Sequence, residues 1–270
     1  GAYQATITDA NGCSTTGNIT LNTPATAIQG TITATNLSCF NSNDGTITIE
    51  ANGGVNPYTI TGSSSGGILW NGSLPIAFSG GTSTATQVSA GTYVYVLMDA
   101  NGCTDTLTTT ITEPPALIIG SAATNMLCYG DTTGTITVSV SGGILPYTYT
   151  WSSTAGSPCS IPINTSSATG LCDGIYTVVV SDSNGCSDTL TESIIEPQLL
   201  TVQLISDTIY CYGELGSVTA NVFGGVGPYT IDWTLSGTST SVGTGTTVNG
   251  LASGAYQATI TDANGCSTTG

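Results

Sequence analysis

The sequence predicts an all-β chain of tandem two-layer sandwiches, strung like beads, and three observations carry that expectation. Val, Ile, Leu and aromatic residues recur in short alternating runs bounded by Asn-Gly, Gly-Gly and Asp-Gly pairs, the pattern of half-buried strands joined by tight turns. The signature Asp-x-Asn-Gly-Cys occurs at Asp9–Cys13, Asp99–Cys103, Asp182–Cys186 and Asp262–Cys266, with spacings of 90, 83 and 80 residues, each the size of a small sandwich. Residues 1–17 also return unchanged at 254–270, an offset of 253 that spans three such units. We therefore expect a window on a longer array: strands F and G of a preceding repeat over 1–23, then repeats over 24–113, 114–196 and 197–270, the last cut short in strand G.

Composition narrows the function. The chain has no Lys, Arg or His against 16 Asp plus Glu. Nucleic-acid binding needs cations against phosphate, so it is excluded. Arginine recognition of anions and imidazole catalysis or metal ligation go with it. No run of about 18 apolar residues occurs, so no helical membrane span is expected in this window. Enough apolar residues alternate to bury a face, which argues against disorder despite the low charge. Nine cysteines point to an oxidising, extracellular setting.

Each repeat carries the same landmarks in order. A Cys precedes a turn: Cys39 before Asn43-Asp44-Gly45, Cys128 before Asp131 and Gly134, Cys211 before Glu214 and Gly216. An alternating strand follows, with Ile47, Ile49 and Ala51, or Ile136, Val138 and Val140, or Val218, Ala220 and Val222 on one face. Gly-Gly-x-x-Pro-Tyr comes next, at Gly53–Tyr58, Gly142–Tyr147 and Gly224–Tyr229, where glycine permits a sharp exit and proline sets the next entry. Trp151 and Trp233 stand four residues after their tyrosines and read as core residues. Trp70, in a Gly-rich insertion, breaks that spacing and is the better candidate for an exposed contact.

An apolar-x-x-Gly-x-Tyr pattern then appears at Val88–Tyr93, Leu171–Tyr176 and Leu251–Tyr256. It resembles the tyrosine corner of Greek-key sandwiches, which assigns Tyr93, Tyr176 and Tyr256 to the start of strand F. Asp-x-Asn-Gly then closes an F to G hairpin. Pro24, Pro114 and Pro197 end strand pairing and place the junctions.

As a set, the Cys turn, Gly-Gly-x-x-Pro-Tyr-x-x-x-Trp, Gly-x-Tyr and Asp-x-Asn-Gly-Cys resemble the SprB-type repeat of large cell-surface adhesins of gliding bacteria. The resemblance implies immunoglobulin-like sandwiches, export by the type 9 secretion system, and a role as adhesin stalk or surface filament. Cys39-Phe-Asn and the displaced Trp70 depart from the pattern in the first repeat.

Cys159 and Cys172 frame twelve residues and are expected to close their own loop. The other seven cysteines admit three schemes. Pairing within a repeat, Cys39 with Cys103, Cys128 with Cys186 and Cys211 with Cys266, must bridge opposite ends of a sandwich, roughly 20 Å apart. Pairing sequence neighbours, Cys13 with Cys39 and so on, spans a longer gap. Joining the A to B turn of one repeat to the F to G turn of the next gives Cys39 with Cys186 and Cys128 with Cys266. Stacked sandwiches favour that scheme, and it leaves Cys13, Cys103 and Cys211 for neighbours outside the window. No Cys-x-x-Cys occurs, so no structural metal is expected.

Calcium is weakly supported, since each Asp-x-Asn-Gly turn offers one carboxylate where a calcium loop needs several. Covalent glycans have better support. Asn18, Asn36, Asn71 and Asn164 sit in Asn-x-Ser/Thr triplets. Thr106, Thr189, Thr132 and Thr208 follow Asp in the Asp-Thr pattern that resembles the O-glycan acceptor of the bacteria carrying these repeats. No catalytic constellation is present, so no enzyme and no cofactor are expected. Glu113 and Glu196 read as spacer charges before proline. The leading expectation is an extracellular, disulfide-stabilised, glycosylated filament or stalk whose partners are further copies or repeats. The alternative is a glycan- or surface-binding module using the loops around Trp70 and Cys159 to Cys172.

Overall fold

The computed structural model describes residues 1–23, 26–64, 76–154, 159, 161 and 164–270. Among them every regular element is a strand. The chain divides into two compact units, Gly1–Ala116 and Leu117–Gly270.

The first unit opens with a hairpin of β1 (Ala2–Thr8) and β2 (Ser14–Thr20), exposed along its length. One sheet then forms in the order β3-β4-β7, from Gln29–Thr35, Gly45–Asn52 and Thr82–Val88. The facing sheet runs β6-β5-β8-β9, from Ile76–Phe78, Tyr58–Ser64, Gly91–Met98 and Thr104–Ile111. The chain crosses from β4 to β5, returns so that β7 lies beside β4, and crosses again to β8. Two antiparallel sheets wound this way make an immunoglobulin-like Greek key. Alternation decides what is buried: Ile47, Ile49 and Ala51 of β4 face Tyr93, Tyr95 and Leu97 of β8 across one core.

The second unit holds two more pairs of sheets. The first pair is β10-β11-β13 (Ile118–Thr124, Gly134–Ser141, Ser167–Leu171) over β12-β14-β15 (Thr148–Ser153, Gly174–Ser181, Ser187–Ile194). The next is β16-β17-β20 (Thr201–Ser206, Gly216–Phe223, Thr247–Leu251) over β19-β18-β21-β22 (Ser241–Thr244, Thr230–Leu235, Tyr256–Thr261, Ser267–Thr269). Each pair encloses its own apolar cluster, one around Ile136, Trp151 and Val178, the other around Ala220, Trp233 and Ile260.

Trp151 and Trp233 are core residues, as their spacing predicts. Each indole satisfies its buried N–H by donating to a loop carbonyl, Thr165 O at 2.9 Å and Gly245 O at 3.0 Å. Trp70 lies outside the described residues. Tyrosine corners form in all three sandwiches, the hydroxyls of Tyr93, Tyr176 and Tyr256 donating to the carbonyls of Ser89, Cys172 and Ala252 at 2.8, 3.1 and 2.9 Å. Outward faces carry cross-strand threonine pairs such as Thr48–Thr84 and Thr177–Thr191, which suit strands without adding charge.

Removing the Trp233 side chain leaves a cavity and an orphaned carbonyl, so Trp233→Ala is expected to cost about 3–5 kcal/mol. Tyr176→Phe deletes one hydrogen bond and is expected to cost about 1 kcal/mol. Hydrogen exchange of β18 and β21, and of β13 and β14, measures the two effects in turn.

Candidate functional site

The four Asp-x-Asn-Gly-Cys turns share a local geometry. In each, one oxygen of the aspartate accepts from the amides two and four residues on: Asn11 and Cys13 at Asp9, Asn101 and Cys103 at Asp99, Asn184 and Cys186 at Asp182, Asn264 and Cys266 at Asp262, all at 2.9 Å. A short side chain bonding its own turn is ordinary local chemistry. What distinguishes the three sandwiches is the second oxygen. It accepts from the amide of Val55 at 3.0 Å, and from those of Ile144 and Val226 at 2.9 Å, residues 36 to 44 positions earlier in the chain.

That third bond ties the F to G hairpin to the Gly-Gly-x-x-Pro-Tyr loop, and it buries Asp99, Asp182 and Asp262 to 3, 6 and 6 % exposure. The second glycine of each pair makes room for the carboxylate. A Cβ on Gly54, Gly143 or Gly225 would lie 2.9, 3.0 or 2.9 Å from the aspartate Oδ2, and all three glycines have φ between 60° and 64°. The motif tyrosine closes the loop from its other side, Tyr58, Tyr147 and Tyr229 donating to the carbonyls of Gly53, Gly142 and Gly224 at 2.5, 2.5 and 2.7 Å.

Burial alone would raise these carboxyls. The amides facing them more than offset it, those of Cys103, Val55 and Asn101 for Asp99, of Ile144, Cys186 and Asn184 for Asp182, and of Val226, Cys266 and Asn264 for Asp262. All three therefore lie below the ordinary 3.8. No cation is available to do this work, since the chain has no Lys, Arg or His.

The opposite end of each sandwich is organised around a cysteine turn. After β10, Asn125 Oδ1 accepts from Ile195 N at 3.1 Å, and Met126 N donates to Ile195 O at 3.2 Å, which ties the turn to the end of β15. Asp131 caps the turn through Cys128 N at 2.9 Å, and Glu196 Oε2 accepts from Gly130 N at 3.1 Å. The first sandwich repeats the device with Asn36 and Thr112, Asp44 and Ser38, and Glu113 and Asn41. Hydroxyls of Ser38 and Ser42 and the Ser38 amide hold Asp44 down to about 2. Glu113 and Glu196 are thus hydrogen-bonding residues of the turns, a role that charge spacing did not reveal.

Within the second unit the cysteine turn of one sandwich meets the F to G hairpin of the next. Cys128 and Cys266 form a disulfide with Cα atoms 5.7 Å apart, across 138 residues of sequence. Asn264 Nδ2 donates to Leu127 O at 2.8 Å beside it. A second disulfide joins Cys159 to Cys172, 13 residues apart, next to the Tyr176 corner. Cys13, Cys103 and Cys211 are free and exposed. Cys39 lies in the turn after β3, and Cys186 in the hairpin before β15.

Thr106 and Thr189 occupy matching exposed positions on β9 and β15. Each backbone amide donates to the preceding aspartate, Asp105 at 2.9 Å and Asp188 at 2.8 Å. Thr132, Thr208 and Asn18 are exposed, whereas Asn36 and Asn164 use their Oδ1 atoms to accept from Thr112 N and Tyr149 N at 2.9 Å. Asn71 lies outside the described residues. Among the described residues, no group of three or more Cys, Asp or Glu side chains is placed to hold a metal ion, and no helix is long and apolar enough to cross a membrane.

The family described as SprB repeat matches residues 31–67 and 120–156, each match starting within β3 or β10 and running past the Gly-Gly-x-x-Pro-Tyr loop. Among curated proteins no sequence match is found. Similar solved structures include the I-band fragment I67–I69 of titin, 14% identical, with 92% of this chain and 97% of that chain covered and a TM-score of 0.37. A C-terminal fragment of intimin in complex with the intimin-binding domain of its translocated receptor is 17% identical, with 67% of each chain covered and a TM-score of 0.34. The BSP domain of a biofilm-associated protein is 11% identical, covering 90% of this chain and 64% of that chain, with a TM-score of 0.31. The immunoglobulin-like assignment rests on the strand order above.

Asp182→Asn keeps the shape but turns an NH₂ group toward amides that need an acceptor. It is expected to lower the melting temperature of the second sandwich more than Tyr176→Phe does, and to speed exchange at the Ile144 and Cys186 amides. The depressed carboxyls also set an acid limit. Their stabilisation is complete above the unfolded value of 3.8 and is lost as pH falls through the folded values, which for Asp44 is about 2. Stability should therefore fall from about pH 4 downward, most clearly in 1 M salt, which screens the opposing relief of repulsion as the 16 carboxylates are neutralised.

Proposed function

We propose that the chain is a stretch of an extracellular, disulfide-stabilised and glycosylated surface filament or adhesin stalk, exported by type 9 secretion, in which each sandwich contributes length and chemistry at a reacting centre plays no part. The observation that carries this reading is the Cys128–Cys266 disulfide. It bonds the cysteine turn of one sandwich to the F to G hairpin of the next, so tension along the chain meets a covalent bond at that junction.

Two further features support the reading. The matches to the SprB repeat fall at corresponding places in two successive sandwiches, as a modular stalk requires. A carboxylate held by backbone amides joins the loops of each sandwich in a chain without a trypsin site, which suits exposure outside a cell. In this reading the repeats divide near residues 23, 113 and 196, and Cys39 pairs with Cys186 by the rule that Cys128 and Cys266 follow. Thr106, Thr189, Thr132 and Thr208, with Asn18, Asn36, Asn71 and Asn164 behind them, are the acceptors of covalent sugar. The partners are further copies or repeats.

Imaging of the native material with intact-mass measurement tests this. The expected result is a fibre with an axial period of roughly 35–40 Å per sandwich and a mass above that of the polypeptide, with the excess on Asp-Thr peptides. Isolated globular particles of unmodified mass would contradict it.

A further inference from the structure

We propose that Cys211 of one copy of this chain forms a disulfide with Cys103 of a second copy, joining copies head to tail through the same junction that Cys128 and Cys266 make within one chain. The inference deepens the filament reading and rests on it.

Two kinds of cysteine site are visible. Cys128 stands in a turn between the first two strands of its sandwich, with the local sequence Leu127-Cys-Tyr-Gly-Asp131, and Cys266 stands in an Asp-x-Asn-Gly-Cys hairpin. Their bond joins one site of each kind. Among the free cysteines only Cys211 is of the turn kind, in Tyr210-Cys-Tyr-Gly-Glu214, which shares Cys-Tyr-Gly and a following carboxylate with the Cys128 turn. Cys13 and Cys103 are of the hairpin kind. The hairpin of Cys13 is identical in sequence to that of Cys266, whose complement is the Cys128 turn, already engaged. Cys103 is left as the complement of Cys211.

The residues beside both thiols are exposed or border open space. Leu127 and Tyr129, which flank the bonded Cys128, are 49 and 52 % exposed, while Tyr210 and Tyr212, which flank Cys211, are 88 and 108 % exposed. Two aromatic rings in water beside a free thiol form a loop tip suited to a recess. Cys103 borders one, a cavity of about 410 Å³ lined by Ala27, Ile28, Gly54, Asp99 and Thr104. Asn101 occupies the place of Asn264, and Tyr210 O that of Leu127 O, so the hydrogen bond that accompanies the existing disulfide has both its groups here.

The chemistry is thiol–disulfide exchange with a small-molecule disulfide. The two thiols give up two protons and two electrons, an S–S bond forms between Cys211 and Cys103, and the S–S bond of the oxidant breaks to release two thiols. Cys211 and Cys103 are different sites of one copy, so the contact is heterologous and can add one copy after another.

The test uses the 270-residue chain carrying Cys13→Ser, oxidised with glutathione disulfide and separated without reductant. A ladder of dimer, trimer and higher species that collapses on reduction is expected. Adding C103S or C211S should abolish the ladder in each case, and an equal mixture of those two variants should give dimer alone. In every sample the Cys128–Cys266 peptide, recovered by Asp- and Glu-directed cleavage, reports that the variant is folded. Thiols that stay free, a ring closed within one chain, or dimers from either variant by itself would overturn the pairing. A fibre of native material whose Cys103 and Cys211 remain thiols would overturn the pairing alone and leave the filament reading standing.

Discussion

A buried negative charge in a chain without Lys, Arg or His must be held by hydrogen-bond donors, and in the three sandwiches those donors are chiefly backbone amides. Asp99, Asp182 and Asp262 each collect three amide hydrogen bonds, two from their own turn and one from a loop that is distant in sequence. A buried carboxylate with fewer donors would be protonated or driven to the surface. The glycine that leaves space for Oδ2 and the tyrosine that pins the glycine loop both follow from it. Two motifs about 40 residues apart are thus halves of one hydrogen-bonded unit.

The same 17 residues in two settings separate local from tertiary causes. At 1–17 and at 254–270 the hairpin turn forms with the same two bonds, so the turn is dictated by its own sequence. At Asp262 the amide of Val226, which lies outside the turn's own sequence, adds a third bond to the carboxylate. That contrast also explains what was legible in the sequence. Strand faces, the core tryptophans and the tyrosine corners depend on period two and on fixed offsets within a few residues, and they could be read directly. The carboxylate bridge could not, because Asp-x-Asn-Gly looks the same whether its second oxygen is solvated or bonded. The available signal was co-occurrence, since a Gly-Gly pair precedes the aspartate at a similar distance in each repeat.

Cysteine connectivity was open for a related reason. Residue spacing allowed three schemes, and only the placement of turns at the two ends of each sandwich distinguishes them. The glutamates before proline were also misread by spacing. Glu113 and Glu196 look like solvated charges in the sequence, yet each accepts an amide from a cysteine turn, so the residues entering the next sandwich help to shape the turn that carries the disulfide. The carboxylate unit stands at one end of all three sandwiches, and the braced cysteine turn at the other end of the first two.

The central claim is that Asp99, Asp182 and Asp262 are ionised in the folded protein and held so by backbone amides. Carbon-detected NMR titration of aspartate carboxyl shifts reads this residue by residue. The account predicts that these three carboxyls titrate below the ordinary 3.8. Protonation at or above the ordinary value would mean that burial wins over the amides, and the account would be wrong.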